Sequence, residues 1–102
     1  MHRDIKPENI LYVHGGEGKG NGRVKLVDFG TAVKFKKGEK YSEIYGSANY
    51  LAPEVVNMDY TEKCDVWSLG VILYTILLKQ MPFDGNMDAE VIKAIKNNPL
   101  SF

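Results

Sequence analysis

The sequence predicts an α+β fold, mainly helical with one small β-hairpin. Three observations carry this. Residues 66–78 contain no charged side chain and are apolar on every side, the pattern of a buried helix. Residues 87–97 place Val91, Ile92 and Ile95 on one face at helical spacing. Two short stretches, 10–13 and 23–27, have strand propensity and flank a glycine-rich connection, as in a hairpin.

Bulk properties bound the rest. At 102 residues the chain is one small domain or part of a larger one. Lysine plus arginine, 13 residues, balances aspartate plus glutamate, also 13, so nothing argues for nucleic acid or an anionic membrane as partner. The apolar run is too short for a bilayer, which needs about 20 residues. Cys64 is the single cysteine, which leaves no disulfide framework and no cysteine metal cluster; it reads as a small buried apolar residue. The opening MHRDIKPEN is too charged for a signal peptide, and a soluble cytoplasmic protein is expected.

Taken in order, residues 2–9, HRDIKPEN, are polar, and Pro7 excludes a helix interior, so they read as a loop. The hairpin spans residues 10–27. Its connection, 14–22, holds five glycines but lacks G-x-x-x-x-G-K-[ST] and G-x-G-x-x-G and precedes a strand, so it reads as a flexible tip and not a phosphate cradle, with His14 an exposed turn residue. Asp28-Phe29-Gly30 follows, then a long lysine-rich stretch without periodicity, ending at Ala52-Pro53-Glu54. A connection of that length is usually functional or mobile. Pro53 can open a short helix.

The long apolar helix is expected over residues 62–78, capped by Thr61 or Asp65. A carboxylate at the mouth of a buried helix must be paired, so something in the chain should donate to Asp65. Pro82 and Gly85 break helicity. The last helix, 87–97, has Asp88 and Glu90 near its positive end and Lys93 and Lys96 near its negative end, and Pro99 stops it. Asp84-x-Asn86-x-Asp88 imitates the start of a calcium loop, but Ala89 and Ile95 stand where glycine and glutamate are required.

Asp4, Lys6, Asn9 and Asp28 form a suggestive set. A carboxylate plus an amide oxygen suits magnesium, a nearby lysine suits a phosphate, and a second carboxylate is free to act as base. A solvated polar loop is the plain alternative. The spacing decides between them. HRDIKPEN fits H-R-D-x-x-x-x-N, DFG follows at 28–30, APE at 52–54, and GSANYLAPE and DVWSLGVILYTIL complete the series. In these motifs the chain resembles the protein kinases over residues 2–102. The lysine two places after Asp4 is the serine/threonine form. HRDIKPENIL, Glu43 and YTEKCDVWSLGVILY resemble the calcium/calmodulin-dependent and calcium-dependent kinases.

The resemblance implies a partial C-terminal lobe: catalytic loop 2–9, hairpin 10–27, activation segment 28–54, buried helix 62–78 and a further helix 87–97. It implies that Asp4 accepts the proton of a serine or threonine hydroxyl on a protein substrate. Lys6 then neutralises the ATP γ-phosphate in transfer, and Asn9 and Asp28 hold Mg2+ on the ATP phosphates. Phe29 and Gly30 complete the DFG motif. Ser47 stands where a threonine bonds the catalytic aspartate and lysine. Asp65 would accept hydrogen bonds from the backbone of the H-R-D turn, with His2 packed under the loop. Arg3 would face a negative group on the activation segment. Glu43 stands near the usual phosphothreonine position and is expected to replace it; phosphorylation of Tyr41, Ser42 or Tyr45 is the competing expectation. Glu8 would favour an arginine in the substrate, while Thr75 stands where some relatives carry a second acid.

The chain departs from the family pattern. It has no glycine-rich nucleotide loop, no V-A-I-K lysine and no partner glutamate, so the N-terminal lobe is expected to be absent, and Glu54 to lack its usual arginine partner. The expectation is a catalytic-core segment, inactive when isolated, with any calcium-sensing module outside it. The alternatives are a non-catalytic interaction module, which would have no need of Asp4, Lys6, Asn9 and Asp28 together, and a pseudokinase fragment.

Overall fold

The computed structural model describes residues 1–15 and 22–98. A 3₁₀ turn at Pro7–Asn9 leads into strands β1 (Ile10–Val13) and β2 (Arg23–Leu26). A second 3₁₀ turn at Ala48–Tyr50 precedes helices α1 (Pro53–Val56), α2 (Cys64–Leu78) and α3 (Asp88–Asn97). The first turn corrects the expectation of a plain loop at 2–9. Pro7 takes the first helical position, where no amide is needed, and the Asn9 amide closes the turn on the Lys6 carbonyl at 3.0 Å.

The two strands pair antiparallel, with Ile10 opposite Leu26 and Val13 opposite Arg23. The alternation of residues 23–27 does not sort into a buried and an exposed face: all of β2 is exposed, and β1 is exposed beyond Ile10. A two-stranded ribbon is marginal alone. This one is tied to the first 3₁₀ turn at its base, where the Val27 amide donates to the Asn9 carbonyl at 2.8 Å. Residues 16–21 of the expected hairpin tip lie outside the described residues.

The core gathers α1, α3, the mouth of α2 and the 3₁₀ turn around Ala52, Val55, Tyr60, Cys64, Val91 and Ile95. Pro53 opens α1 and Val91 and Ile95 face inward from α3; Pro99 lies outside the described residues. Burial among these groups pushes the Cys64 thiol up to about 12, with Asp65 and Glu54 adding to the effect.

Helix α2 ends where the sequence reading places it, at residue 78, but corrects that reading at its start, its cap and its surroundings. It begins at Cys64, not residue 62, and carries no side-chain cap: Asp65 is engaged elsewhere, and Thr61 Oγ1 accepts only the Lys63 amide at 3.4 Å. It ends at Leu78, before Pro82, with Lys79 in the left-handed region at φ 57°. Most importantly, it is apolar all round but not buried. Cys64, Ser68 and Val71 are buried, whereas Val66, Leu69, Leu73, Ile76 and Leu77 are at least half exposed. All-round apolarity implies burial only where neighbours exist on every side. Among the described residues α2 is covered along one stripe. There Ser68 Oγ donates to the Tyr50 carbonyl at 2.8 Å, and the Trp67 and Phe83 rings stack at 6.1 Å. A groove of about 340 Å³ between Trp67, Val71, Tyr74, Leu77 and Phe83 stays open. No described helix is long and apolar enough to cross a membrane.

Candidate active site

Residues 2–9 and the mouth of α2 build one polar centre. Asp65 takes the His2 amide on Oδ2 at 2.6 Å and the Arg3 amide on Oδ1 at 2.9 Å. The carboxylate opening α2 is thereby paired across 63 residues of chain. Two charge-assisted bonds to adjacent amides hold the turn in one conformation, with Arg3 at φ 72°. His2 is buried beneath it. Its Nδ1 accepts the Asp4 amide at 3.1 Å, so Nε2 carries the proton and donates to the Val27 carbonyl at 2.9 Å. The ring thus sets the height of Asp4 and the position of the residue before Asp28.

Asp4, Lys6, Asn9 and Ser47 come together. Asn9 is buried and turns its Nδ2 to the Asp4 carbonyl at 2.8 Å and to Asp4 Oδ2 at 3.3 Å. Lys6 Nζ donates to Ser47 Oγ at 2.9 Å and lies 3.8 Å from Asp4 Oδ2. No hydrogen bond joins Ser47 to Asp4, although the resemblance implies both contacts; the ammonium stands between them. Asp4 Oδ1 is buried with no donor among the described residues. An unsatisfied buried acceptor costs about 1–3 kcal/mol or more when charged; the carboxylate oxygen that faces Asn9 and Lys6 is the other one, Oδ2.

Asp28 is brought beside this centre by backbone. The residue before it is bonded to both His2 and Asn9. Its side chain is exposed, at φ 60°, and Oδ1 accepts the Gly30 amide at 3.2 Å. Asn9 Oδ1 takes no donor among the described residues. One carboxylate and one amide oxygen are hard donors that fit Mg2+ when substrate phosphates supply the remaining ligands. They do not make a site by themselves: no group of three or more His, Cys, Asp or Glu able to hold a metal occurs among the described residues. Phe29 packs edge-on against His2 at 5.1 Å yet remains 60% exposed.

A second cluster surrounds Arg3. Its Nε donates to the Thr31 carbonyl at 2.7 Å, Nη1 reaches the Tyr60 hydroxyl at 3.3 Å and Glu43 Oε2 at 3.8 Å, and the guanidinium lies 4.6 Å over the Tyr45 ring. The Glu43 carboxyl is held below its usual range by its own and the Ser42 backbone amides, with Arg3 a smaller cause. Tyr45, a candidate for phosphorylation in the sequence, offers its ring face instead, and Tyr60 and Thr31 join the centre with no sequence signal. Nothing in their spacing marks them, because their partner is an arginine up to 57 positions away. Gly46 is required by its φ of 101° and by close approach: a Cβ there would lie 2.7 Å from the Arg3 carbonyl. The Glu54 carboxylate has no hydrogen bond or ion pair among the described residues.

The protein kinase domain family model matches residues 1–101. The chain belongs to the protein kinase family. It is 44% identical over its full length to calcium-dependent protein kinase 22 of Oryza sativa subsp. japonica, covering 17% of that protein. It is 46% identical to the serine/threonine-protein kinase PEPKR2 of Arabidopsis thaliana, again over its full length, covering 20% of it. Calcium-dependent protein kinase 10 of Arabidopsis thaliana is likewise 46% identical over all of this chain, with 18% of its own length covered. The chain therefore spans at most about a fifth of the length of these kinase relatives.

Proposed function

We propose that this kinase-family segment is the catalytic-loop and activation-segment portion of a serine/threonine protein kinase, which transfers the ATP γ-phosphate to a protein hydroxyl. The observation that carries the reading is the convergence of Asp4 Oδ2, Lys6 Nζ and the Asn9 amide in one centre. Asp4 accepts the hydrogen bond of the substrate hydroxyl and receives its proton. Lys6, steadied by Ser47, directs positive charge at the transferred phosphate. Asn9 Oδ1 and Asp28 are the oxygens offered to Mg2+, which when bound neutralises charge on the ATP phosphates. His2 and Asp65 hold the loop so that no reorganisation is needed as charge moves. Glu43 faces Arg3 in place of a phosphate. Control by calcium, suggested by the names of two of these relatives, would come from sequence beyond this segment.

The test is phosphotransfer to a serine or threonine peptide by the full natural chain. Asp4→Asn removes the base while keeping the shape, and turnover should fall about 10²–10⁴-fold. Turnover within a factor of two of the parent would refute the assignment. A parent protein that folds, contains Asp4, Lys6, Asn9 and Asp28 and binds partners without any turnover would favour the interaction-module reading instead.

A further inference from the structure

Arg3 stands immediately before Asp4, and the stretch holding Glu43 must stay against it for the kinase reading to work. The Glu43 carboxylate is a poor tether. It is 59% exposed and 3.8 Å from the guanidinium, the geometry of a pair worth little in water. Tyr60 is of another kind. It comes from the connection between α1 and α2 and is 1% exposed, the largest fully buried side chain among the described residues. Its hydroxyl donates to the Glu43 carbonyl and accepts from Arg3 Nη1 at 3.3 Å. Its backbone pairs in both directions with Tyr41, at 2.9 and 3.1 Å, and the two rings lie 6.2 Å apart. One buried hydroxyl therefore joins the activation stretch to the arginine of the catalytic loop, in a place where solvent does not compete.

We propose that Tyr60 is the positioning residue that locks residues 41–45 to Arg3, and through Arg3 orients Asp4, so that the hold depends on the Tyr60 hydroxyl more than on the Glu43 charge. The arrangement has a built-in order. Arg3 Nε is held by Thr31 and its backbone amide by Asp65, so the arginine is fixed from the core side. Tyr60 brings the Glu43 stretch to it. Removing the hydroxyl while keeping the ring leaves the core packed but frees the Glu43 carbonyl and one N–H donor of the guanidinium.

The inference rests on the kinase reading for its effect on turnover, but its structural half is measured separately. In the full natural chain, Tyr60→Phe and Glu43→Gln are compared with the parent by amide hydrogen exchange resolved to residues 41–46 and to α3, and by steady-state kinetics. Tyr60→Phe should speed exchange at 41–46 about tenfold, leave α3 unchanged, and lower kcat about tenfold with the KM for ATP within twofold. Glu43→Gln should change exchange less than threefold. Unchanged exchange at 41–46 in Tyr60→Phe overturns the proposal. Exchange rising equally in α3 overturns it too, since the role would then be packing alone. A Glu43→Gln effect equal to or larger than that of Tyr60→Phe also overturns it, assigning the hold to the charge. If the parent shows no turnover, the kinase reading fails, and the exchange comparison still decides whether Tyr60 holds the stretch.

Discussion

Arg3 gathers more interactions than any other side chain of residues 2–9: a carbonyl, a phenol, a carboxylate and an aromatic face. A guanidinium is suited to this, with five donors in a rigid plane that also stacks on rings. With that many protein partners it has little need of a phosphate. The expected outcome is that the active full chain carries no stoichiometric phosphate on Tyr41, Ser42 or Tyr45. Intact-mass measurement before and after phosphatase treatment, with activity assayed on both samples, checks it. A phosphate on one of these residues whose removal abolishes activity would sink the idea that Glu43 serves in its place. At this scale the sequence was informative about polar groups in one contiguous motif. Asp4, Lys6 and Asn9 stand within six positions of one another, so local geometry alone brings them together. It was silent about Tyr60, a tyrosine among six, whose part depends on a contact that only folding creates.

Helix α2 is the element whose character the sequence conveyed only in part. Its helicity follows from an uncharged, mainly apolar run without proline more than from propensity, since Val66, Gly70, Val71, Ile72, Thr75 and Ile76 are middling or poor helix formers. Its start, expected at residue 62, lies two residues later at Cys64. Its environment was not legible. Hydropathy reports what a surface prefers to touch, and the structure decides whether anything is there. The two sides of α2 should respond differently to substitution. In the 102-residue chain, Val71→Ala, at a site 4% exposed, should lower stability by about 1–3 kcal/mol. Ile76→Gln, at a site 67% exposed, should change it by less than about 0.5 kcal/mol and improve solubility. Denaturant midpoints for the two variants check this. Equal losses would mean that the exposed face of α2 is covered in solution. The hairpin makes the complementary point. Its pairing was predicted from the strand pattern, but its alternation buries nothing, because a two-stranded ribbon with no layer against it has no inside.

On the scale of the molecule, the described residues supply the loop, the strand end and the activation stretch that the proposed kinase centre needs, but only a few groups able to meet a nucleotide. Lys6, Asn9 and Asp28 are the candidates, and Asp28 is exposed. So small a contact surface leaves little beyond the cost of association. The isolated 102-residue chain should therefore show no saturable Mg·ATP binding below about 1 mM by calorimetry, and no turnover. Micromolar binding would show that these residues make a complete nucleotide site. What the sequence by itself determined is the family, the order of the motifs and the identity of the chemical groups, because these rest on residue types at short, fixed spacings. Only the tertiary structure decided which groups meet. Beyond the Asp65 contacts with His2 and Arg3, which the resemblance implies, the Tyr60 hydroxyl bridges Arg3 and the Glu43 carbonyl, and Asp4 Oδ1 is left without a donor. The physical reason is distance along the chain. Each of these arrangements depends on contacts between residues tens of positions apart, and such contacts are settled by packing and by the need to satisfy every buried polar group at once, which no local pattern records.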